Sequence, residues 1–163
     1  MARNVFYSFH YAPDSWRASQ VRNMGVITGN APCRDHDWEE VTKGGDAAIK
    51  RWIASQMSGR TCAVVLVGTN TARRKWINYE IEQAWGSGKG VVAVRIHGLK
   101  NSAGLQSAKG GDPYQDFNIN GTPLGSIAKT YDPPYASSTY VYDYIQANIA
   151  DWVEEAIKIR NRY

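Results

Sequence analysis

The run Thr-Cys-Ala-Val-Val-Leu-Val at residues 61–67, followed at once by Gly-Thr-Asn-Thr at residues 68–71, decides the fold class. Every residue after Thr61 in this run is apolar, which is typical of a central parallel strand that is buried on both faces. A second apolar run, Gly-Val-Val-Ala-Val-Arg-Ile at residues 90–96, follows after one helical pattern. The two runs predict neighbouring parallel strands that are joined by a crossover helix.

Strand and helix patterns alternate on both sides of this pair. The further predicted elements are a strand over residues 4–10, a helix from Asp14 or Ser15 to about Met24, a short strand and a polar loop over 26–43, a helix that begins at Asp46, and helices over 72–85 and about 139–160. This alternation predicts a flavodoxin-like, doubly wound parallel sheet that is flanked by helices in three layers.

One long segment interrupts the alternation. Residues 98–137 are rich in Gly, Ser, Asn, Pro and Tyr, and they exceed the usual length of a connection. We expect either a structured excursion or a mobile lid there, inside one domain that spans residues 1–163.

Composition excludes several classes of protein. The chain has 163 residues, of which 43% are hydrophobic and 21% charged, as in an ordinary globular protein. Its net charge of +4 is scattered apart from Arg73-Arg74-Lys75, which is interpreted as a solvated helix start, so nucleic acid is not an expected partner. No apolar run could span a bilayer and no secretory signal pattern is present, so we expect a cytoplasmic protein without a membrane partner. Cys33 and Cys62 lie far apart, and no disulfide is expected.

Several common site chemistries have no sequence support. Neither a phosphate-binding loop nor the glycine fingerprint of dinucleotide-binding folds follows a strand. The three histidines, His10, His36 and His97, lie in different segments without a metal-ligand spacing. We therefore expect no metal and no bound cofactor.

Polar residues follow two predicted neighbouring strands. Ser8-Phe9-His10 ends the first strand, and the turn at residues 68–71 leads into a helix that carries Trp76 and Glu80. Ligands of open α/β sheets bind outside the carboxyl ends of the strands, so this edge is the predicted site.

Two stretches resemble the motifs of TIR domains. Val5-Phe6-Tyr7-Ser8-Phe9 resembles their first-strand box, and the sequence at residues 76–81, Trp-Ile-Asn-Tyr-Glu-Ile, resembles their Trp-Cys-x-x-Glu-Leu helix motif. Together with His10-Tyr11 after the first box and Arg74-Lys75 before the second, they are similar to the TIR-like proteins of bacterial Thoeris antiphage systems over about residues 3–115.

This resemblance implies cleavage of the nicotinamide–ribose bond of NAD and formation of a cyclic ADP-ribose isomer, a second messenger that activates a separate effector in antiviral defence. It implies that Glu80 is the catalytic residue, since a carboxylate can stabilise an oxocarbenium-like ribose. The substrate-binding candidates are Ser8, Phe9, His10, Asp37, Trp38, Trp76 and His97, with Asp35 as a substitute for Asp37. NAD would be the substrate, and self-association is open.

Other interpretations remain at this stage. Glu80 could be a solvated helix residue that pairs with Arg73 or Arg74 in a non-enzymatic TIR-type interaction module. Ser8 could only cap its strand, and Phe9 and Trp76 could be core residues. His97 and Asp37 could belong to surface loops. A phosphoryl-receiver-like regulator would need acidic residues where this chain has Ser8-Phe9-His10 and Gly68.

Overall fold

The computed structural model describes residues 3–29 and 41–163. Within these ranges, five strands form a parallel sheet in the spatial order β2-β1-β3-β4-β7. The strands are β1 (Asn4–Ser8), β2 (Thr28–Gly29), β3 (Cys62–Val67), β4 (Gly90–Arg95) and β7 (Thr130–Tyr131). β5 (Asn118–Ile119) and β6 (Thr122–Pro123) form a separate antiparallel hairpin.

Four helices that lie wholly within the described residues cover the two faces of the sheet. They are α1 (Tyr11–Arg22), α2 (Gly45–Met57), α3 (Lys75–Gly86) and α4 (Ser138–Arg160). α1 and α4 pack on one face through residues such as Val21 and Ile145, and α2 and α3 pack on the other through Ile53 and Ile81. This is the predicted flavodoxin-like arrangement of three layers.

The apolar runs became strands because both of their faces are covered. All six residues of β3 and all six residues of β4 are buried. Cys62, the first residue of β3, is a free buried thiol whose pKa is raised by burial to about 12, while Cys33 lies outside the described residues. β3 and β4 begin and end within one residue of their predicted limits.

The first connection is shorter than predicted. β1 ends at Ser8, two residues before the predicted end at His10. α1 begins at Tyr11, three residues before the predicted start at Asp14. Pro13 lies in the first helical turn, where backbone N–H groups have no partner within the helix and a proline therefore costs little. The predicted cap, Asp14, is a buried helix residue instead.

Two other boundaries were wrong. α3 begins at Lys75 rather than at residue 72, because Arg73 has a left-handed backbone (φ 67) that cannot belong to a helix. Residues 41–43 are helical rather than part of a polar loop. The rest of that predicted loop, residues 30–40, lies outside the described part.

Residues 98–137 form a structured excursion rather than a lid without fixed structure. They contain the β5–β6 hairpin, a 3-10 turn at Leu124–Ser126 and β7, which adds the last strand to the main sheet. Tyr114 lies at its centre with 1% exposure, and its hydroxyl donates a hydrogen bond to the carbonyl of Lys129 (3.2 Å). None of the helices in residues 3–29 and 41–163 combines the length and hydropathy needed to cross a bilayer.

Candidate active site

The candidate site lies where the order of the strands reverses. β1 and β3 are neighbours, yet the connection from β1 leads outward to β2 and the connection from β3 leads in the opposite direction to β4. The two connections therefore diverge and leave a crevice at the carboxyl ends of β1 and β3. Ser8 borders this crevice at the end of β1, and Gly68 does so after β3.

Glu80 lies beside Ser8 at this crevice. The residue keeps partial exposure, but its Oε2 is buried, and burial raises the pKa of the carboxyl group to about 8. The Ser8 hydroxyl is close enough to oppose this rise in pKa by hydrogen bonding. Even so, neither Ser8 Oγ nor Glu80 Oε2 has a hydrogen bond of ordinary geometry to another described residue. Both atoms therefore keep hydrogen-bonding capacity that a ligand or water can use.

His10 and Asp14 lie beside this pair at the start of α1. Burial lowers the pKa of His10, and the nearby positive charge of Arg74 lowers it further. Burial raises the pKa of Asp14, which the charges of Arg17 and Arg74 oppose. The Asp14 carboxyl group lies so close to Gly68 that a Cβ at that glycine would overlap it. Arg74 thus places a positive charge near the crevice, where it can attract an anionic substrate.

Buried polar side-chain atoms without a partner are concentrated at this edge. Those with no hydrogen bond to any other described residue include Ser8 Oγ, His10 Nδ1, Asp14 Oδ2, Asn78 Oδ1, Glu80 Oε2, His97 Nδ1 and Ser107 Oγ. Native proteins leave few such atoms, so a concentration of them at one strand edge indicates a binding site.

The aromatic candidates divide between core and crevice. Trp76 lies one helical turn before Glu80, is partly exposed, and packs edge to face on Tyr79 with 5.6 Å between ring centroids. Phe9 is partly buried against the α1–α4 side of the core, and its ring centroid lies 6.2 Å from that of Tyr11. Both rings therefore support the core and border the strand edge, so their role as pocket walls stays a prediction.

His97 lies two residues after the end of β4, on the other side of β3 from Ser8. Burial lowers its pKa, while Asp132 acts in the opposite direction. Its carbonyl oxygen accepts a hydrogen bond from the Ser107 backbone N–H (3.0 Å), so it belongs to the base of the excursion. Two other candidates, Asp37 and Trp38, lie outside the described residues. No group of three or more His, Cys, Asp or Glu residues suited to a metal occurs in residues 3–29 and 41–163.

The arginines before α3 do not pair with Glu80. Arg73 Nε lies 3.7 Å from Asp116 Oδ1, and Arg74 Nε donates to the carbonyl of Asn70 (3.1 Å). Asp116 also accepts a hydrogen bond from Asn78 Nδ2 (3.3 Å). The alternative in which Glu80 pairs with these arginines is therefore wrong.

Sequence reasoning missed two residues next to this site. Asp14 and Arg17 are 2% and 3% exposed and face each other, with 3.5 Å between Arg17 Nη1 and Asp14 Oδ1. Their i, i+3 spacing was the available signal, but such pairs are usually solvated on a helix surface. The contacts that bury Arg17 come from residues 99 and 105, far along the chain.

Comparison with known proteins agrees with this geometry. The family model described as "Thoeris protein ThsB, TIR-like domain" matches residues 6–101. The chain is also similar to a Bacillus cereus (strain MSX-D12) protein named "Putative cyclic ADP-D-ribose synthase ThsB1". The two are 34% identical over 137 residues, which cover 81% of this chain and 71% of that protein. These findings confirm the predicted resemblance, and the chain belongs to the Thoeris ThsB family of TIR-like domains.

Proposed function

We propose that this protein cleaves the bond between nicotinamide and ribose in NAD and cyclises the remaining ADP-ribose. The observation that carries the proposal is the buried Glu80 carboxyl group beside Ser8, at the strand-order reversal of a TIR-type sheet. The related Bacillus cereus protein is named as a synthase of cyclic ADP-D-ribose, which supports the same reaction here.

The raised pKa of Glu80 suits this reaction. With a pKa of about 8, the carboxyl group is largely neutral at pH 7 before substrate binds. The nicotinamide ring of NAD carries a positive charge, and a positive charge nearby favours the carboxylate. Substrate binding would thus ionise Glu80 at the place where positive charge moves onto the ribose.

The bond changes in this reaction balance without a cofactor. The C–N bond to nicotinamide breaks, its electron pair leaves with the ring, and the ribose carbon becomes oxocarbenium-like. The Glu80 carboxylate would stabilise this carbon and hold ribose hydroxyls with Ser8. A nucleophilic group elsewhere on the same ADP-ribose then bonds to the carbon, and any proton that it loses passes to a carboxylate or to water.

We further propose that the product, rather than a protein contact, activates a separate effector. The Thoeris family to which the chain belongs supports a role in antiviral signalling. A reaction mixture from which the protein has been removed by filtration should then activate the effector. Activation that needs the protein itself would contradict this part of the proposal.

The test compares the wild-type protein with Glu80→Gln and the matched control Glu82→Gln. Both variants change one glutamate of α3, but Glu82 is exposed. Each protein is incubated with NAD, with and without lysate from phage-infected cells, and the products are identified by mass spectrometry. We expect nicotinamide and a cyclic ADP-ribose from the wild type and the control, and a loss of about a thousandfold or more in Glu80→Gln.

Two results would contradict the proposal. If a folded Glu80→Gln turns over NAD like the control, Glu80 is not catalytic. If the wild type leaves NAD intact under both conditions but self-associates or captures another TIR protein, the non-enzymatic interaction module is correct.

A further inference from the structure

Residues 97–111 form a closed loop at the carboxyl edge, which we call the wall segment. The hydrogen bond from Ser107 N–H to the His97 carbonyl (3.0 Å) closes residues 97–107 of it into a loop. Inside it, Asn101 Oδ1 accepts hydrogen bonds from the backbone N–H groups of Ala103 (2.9 Å) and Leu105 (3.0 Å). The wall segment is therefore an ordered loop with its own hydrogen bonds.

The wall segment rests on the turn between β3 and α3. The Thr69 hydroxyl donates to the carbonyl of Ala108 (2.5 Å), and Arg95 Nη1 donates to the carbonyl of Gly110 (2.8 Å). The backbone of Gly110 lies so close to the carbonyl of Gly68 that a Cβ at Gly110 would overlap it. The same turn follows β3, which pairs with β1 up to Ser8, so the wall segment lies at the carboxyl edge next to the candidate site, on the side of β3 away from β1.

The buried guanidinium of Arg17 binds two backbone carbonyls of the wall segment. Arg17 donates from Nε to the carbonyl of Leu99 (2.9 Å) and from Nη2 to the carbonyl of Leu105 (2.9 Å). Its charge is paired with Asp14, which in turn lies against Gly68. One ion pair thus connects α1, the wall segment and the turn that borders the site.

The chemistry of this pair argues for positioning rather than for stability alone. A buried ion pair is often no more stable than well-packed apolar residues of the same size. The planar guanidinium, however, offers several donors in fixed directions and can hold two separate carbonyl groups at once. Arg17 uses this geometry to fix the wall segment at two points, Leu99 and Leu105.

We propose that Arg17 and Asp14 are positioning residues that determine how much of the product is cyclic. This inference rests on the proposed function. Once nicotinamide has left, the same ribose carbon can bond either to a group of the same ADP-ribose, which gives the cyclic product, or to water, which gives linear ADP-ribose and a released proton. A wall segment fixed beside the crevice excludes water and keeps the chain of the substrate folded.

The test is Arg17→Lys, with Arg51→Lys as the matched control on the exposed surface of α2. A lysine keeps the charge but cannot reach both carbonyl groups. The ratio of cyclic to linear ADP-ribose is measured at equal NAD consumption, and amide hydrogen exchange is measured across residues 97–111. We expect the ratio to fall about tenfold in Arg17→Lys only, with faster exchange at Leu105 and Ser107 and little change in the rate of NAD loss.

Gln106→Ala provides a second variant if Arg17→Lys does not fold. Gln106 is exposed, and its Nε2 ties the wall segment to the carbonyls of Gly98 and Ala136 (both 2.7 Å). A folded variant with faster exchange in the wall segment and an unchanged product ratio would overturn the inference while leaving the proposed function intact. A wild type that never consumes NAD would overturn both.

Discussion

At the amino-terminal edge of the sheet, long basic side chains are paired with the protein itself. Arg60 Nε donates to the carbonyl of Val5 (3.0 Å), Lys89 Nζ to the carbonyl of Arg60 (2.6 Å), and Arg160 Nε to the carbonyl of Trp85 (2.9 Å). At the carboxyl-terminal edge, Glu80 Oε2 and Asp14 Oδ2 are buried without such partners among the described residues. One edge is built for stability, and the other keeps unpaired polar groups at a cost that function can explain.

The largest effect on stability should come from adding one methyl group at the carboxyl edge. Gly68→Ala would place a Cβ into the Asp14 carboxyl group, which is buried and paired with Arg17 and therefore cannot swing away. We expect a loss of about 2–3 kcal/mol in the free energy of unfolding, measured by urea denaturation, together with loss of NAD turnover.

Gly111→Ala is the control for this change. A Cβ at Gly111 would lie 3.5 Å from Ala72 Cβ, which is an ordinary contact. If both variants are equally stable, Asp14 is not held against Gly68 in solution.

The second effect concerns Glu80, where a substitution should raise the free energy of unfolding rather than lower it. Its folded-state pKa of about 8 exceeds the ordinary value of 4.5, so the folded protein keeps a proton that the unfolded chain releases between these values. The free energy of unfolding therefore falls as pH rises through this window and is lowest above about pH 8. Glu80→Gln removes this loss, so we expect it to be more stable than the wild type by about 1–2 kcal/mol at pH values above that pKa. The gain is limited to this size because the partial exposure of Glu80 relieves part of the cost of burying a carboxylate.

Thermal unfolding of the wild type and Glu80→Gln as a function of pH measures this difference. The two curves should converge toward the ordinary glutamate pKa of 4.5 and separate as pH rises. Parallel curves over the whole range would show that the Glu80 carboxyl group is not buried in solution.

A smaller effect is expected at the amino-terminal edge. Arg60→Met keeps the apolar stem but removes the donors to the carbonyls of Val5 (3.0 Å) and Gln56 (2.5 Å). We expect a loss of about 1 kcal/mol in the free energy of unfolding and an unchanged rate of NAD turnover. A change in turnover without a change in stability would contradict the assignment of the amino-terminal edge to stability and of the carboxyl-terminal edge to function.

The sequence could predict what depends on local pattern. β3 and β4 were predicted within one residue because their apolar runs require burial on both faces. Glu80 was singled out by its place after Trp76 in a TIR-type motif. β7 was missed because Thr130–Tyr131 is too short to show a strand pattern, and it joins the sheet only through its pairing with β4.

The burial of Asp14 and Arg17 could not be read from α1 alone. Each has the local appearance of a solvated residue near a helix N-terminus. They are buried because Gly68 and the carbonyls of Leu99 and Leu105 reach them from distant parts of the chain. Such contacts depend on the tertiary fold, so the periodicity of the α1 sequence does not predict them.

The smallest effect should come from Ser8→Ala, and it tests whether the Ser8 hydroxyl tunes the pKa of Glu80. The Ser8 hydroxyl lowers the pKa of Glu80, against the larger rise that burial causes. The pH dependence of kcat/KM reports groups of the free enzyme, so in the wild type it should rise with pH to a plateau with a midpoint near the Glu80 pKa of about 8. In Ser8→Ala this midpoint should move to higher pH because the carboxylate loses a donor. A midpoint that stays in place while the plateau falls would mean that Ser8 acts only through its contact with the substrate and does not tune the pKa of Glu80.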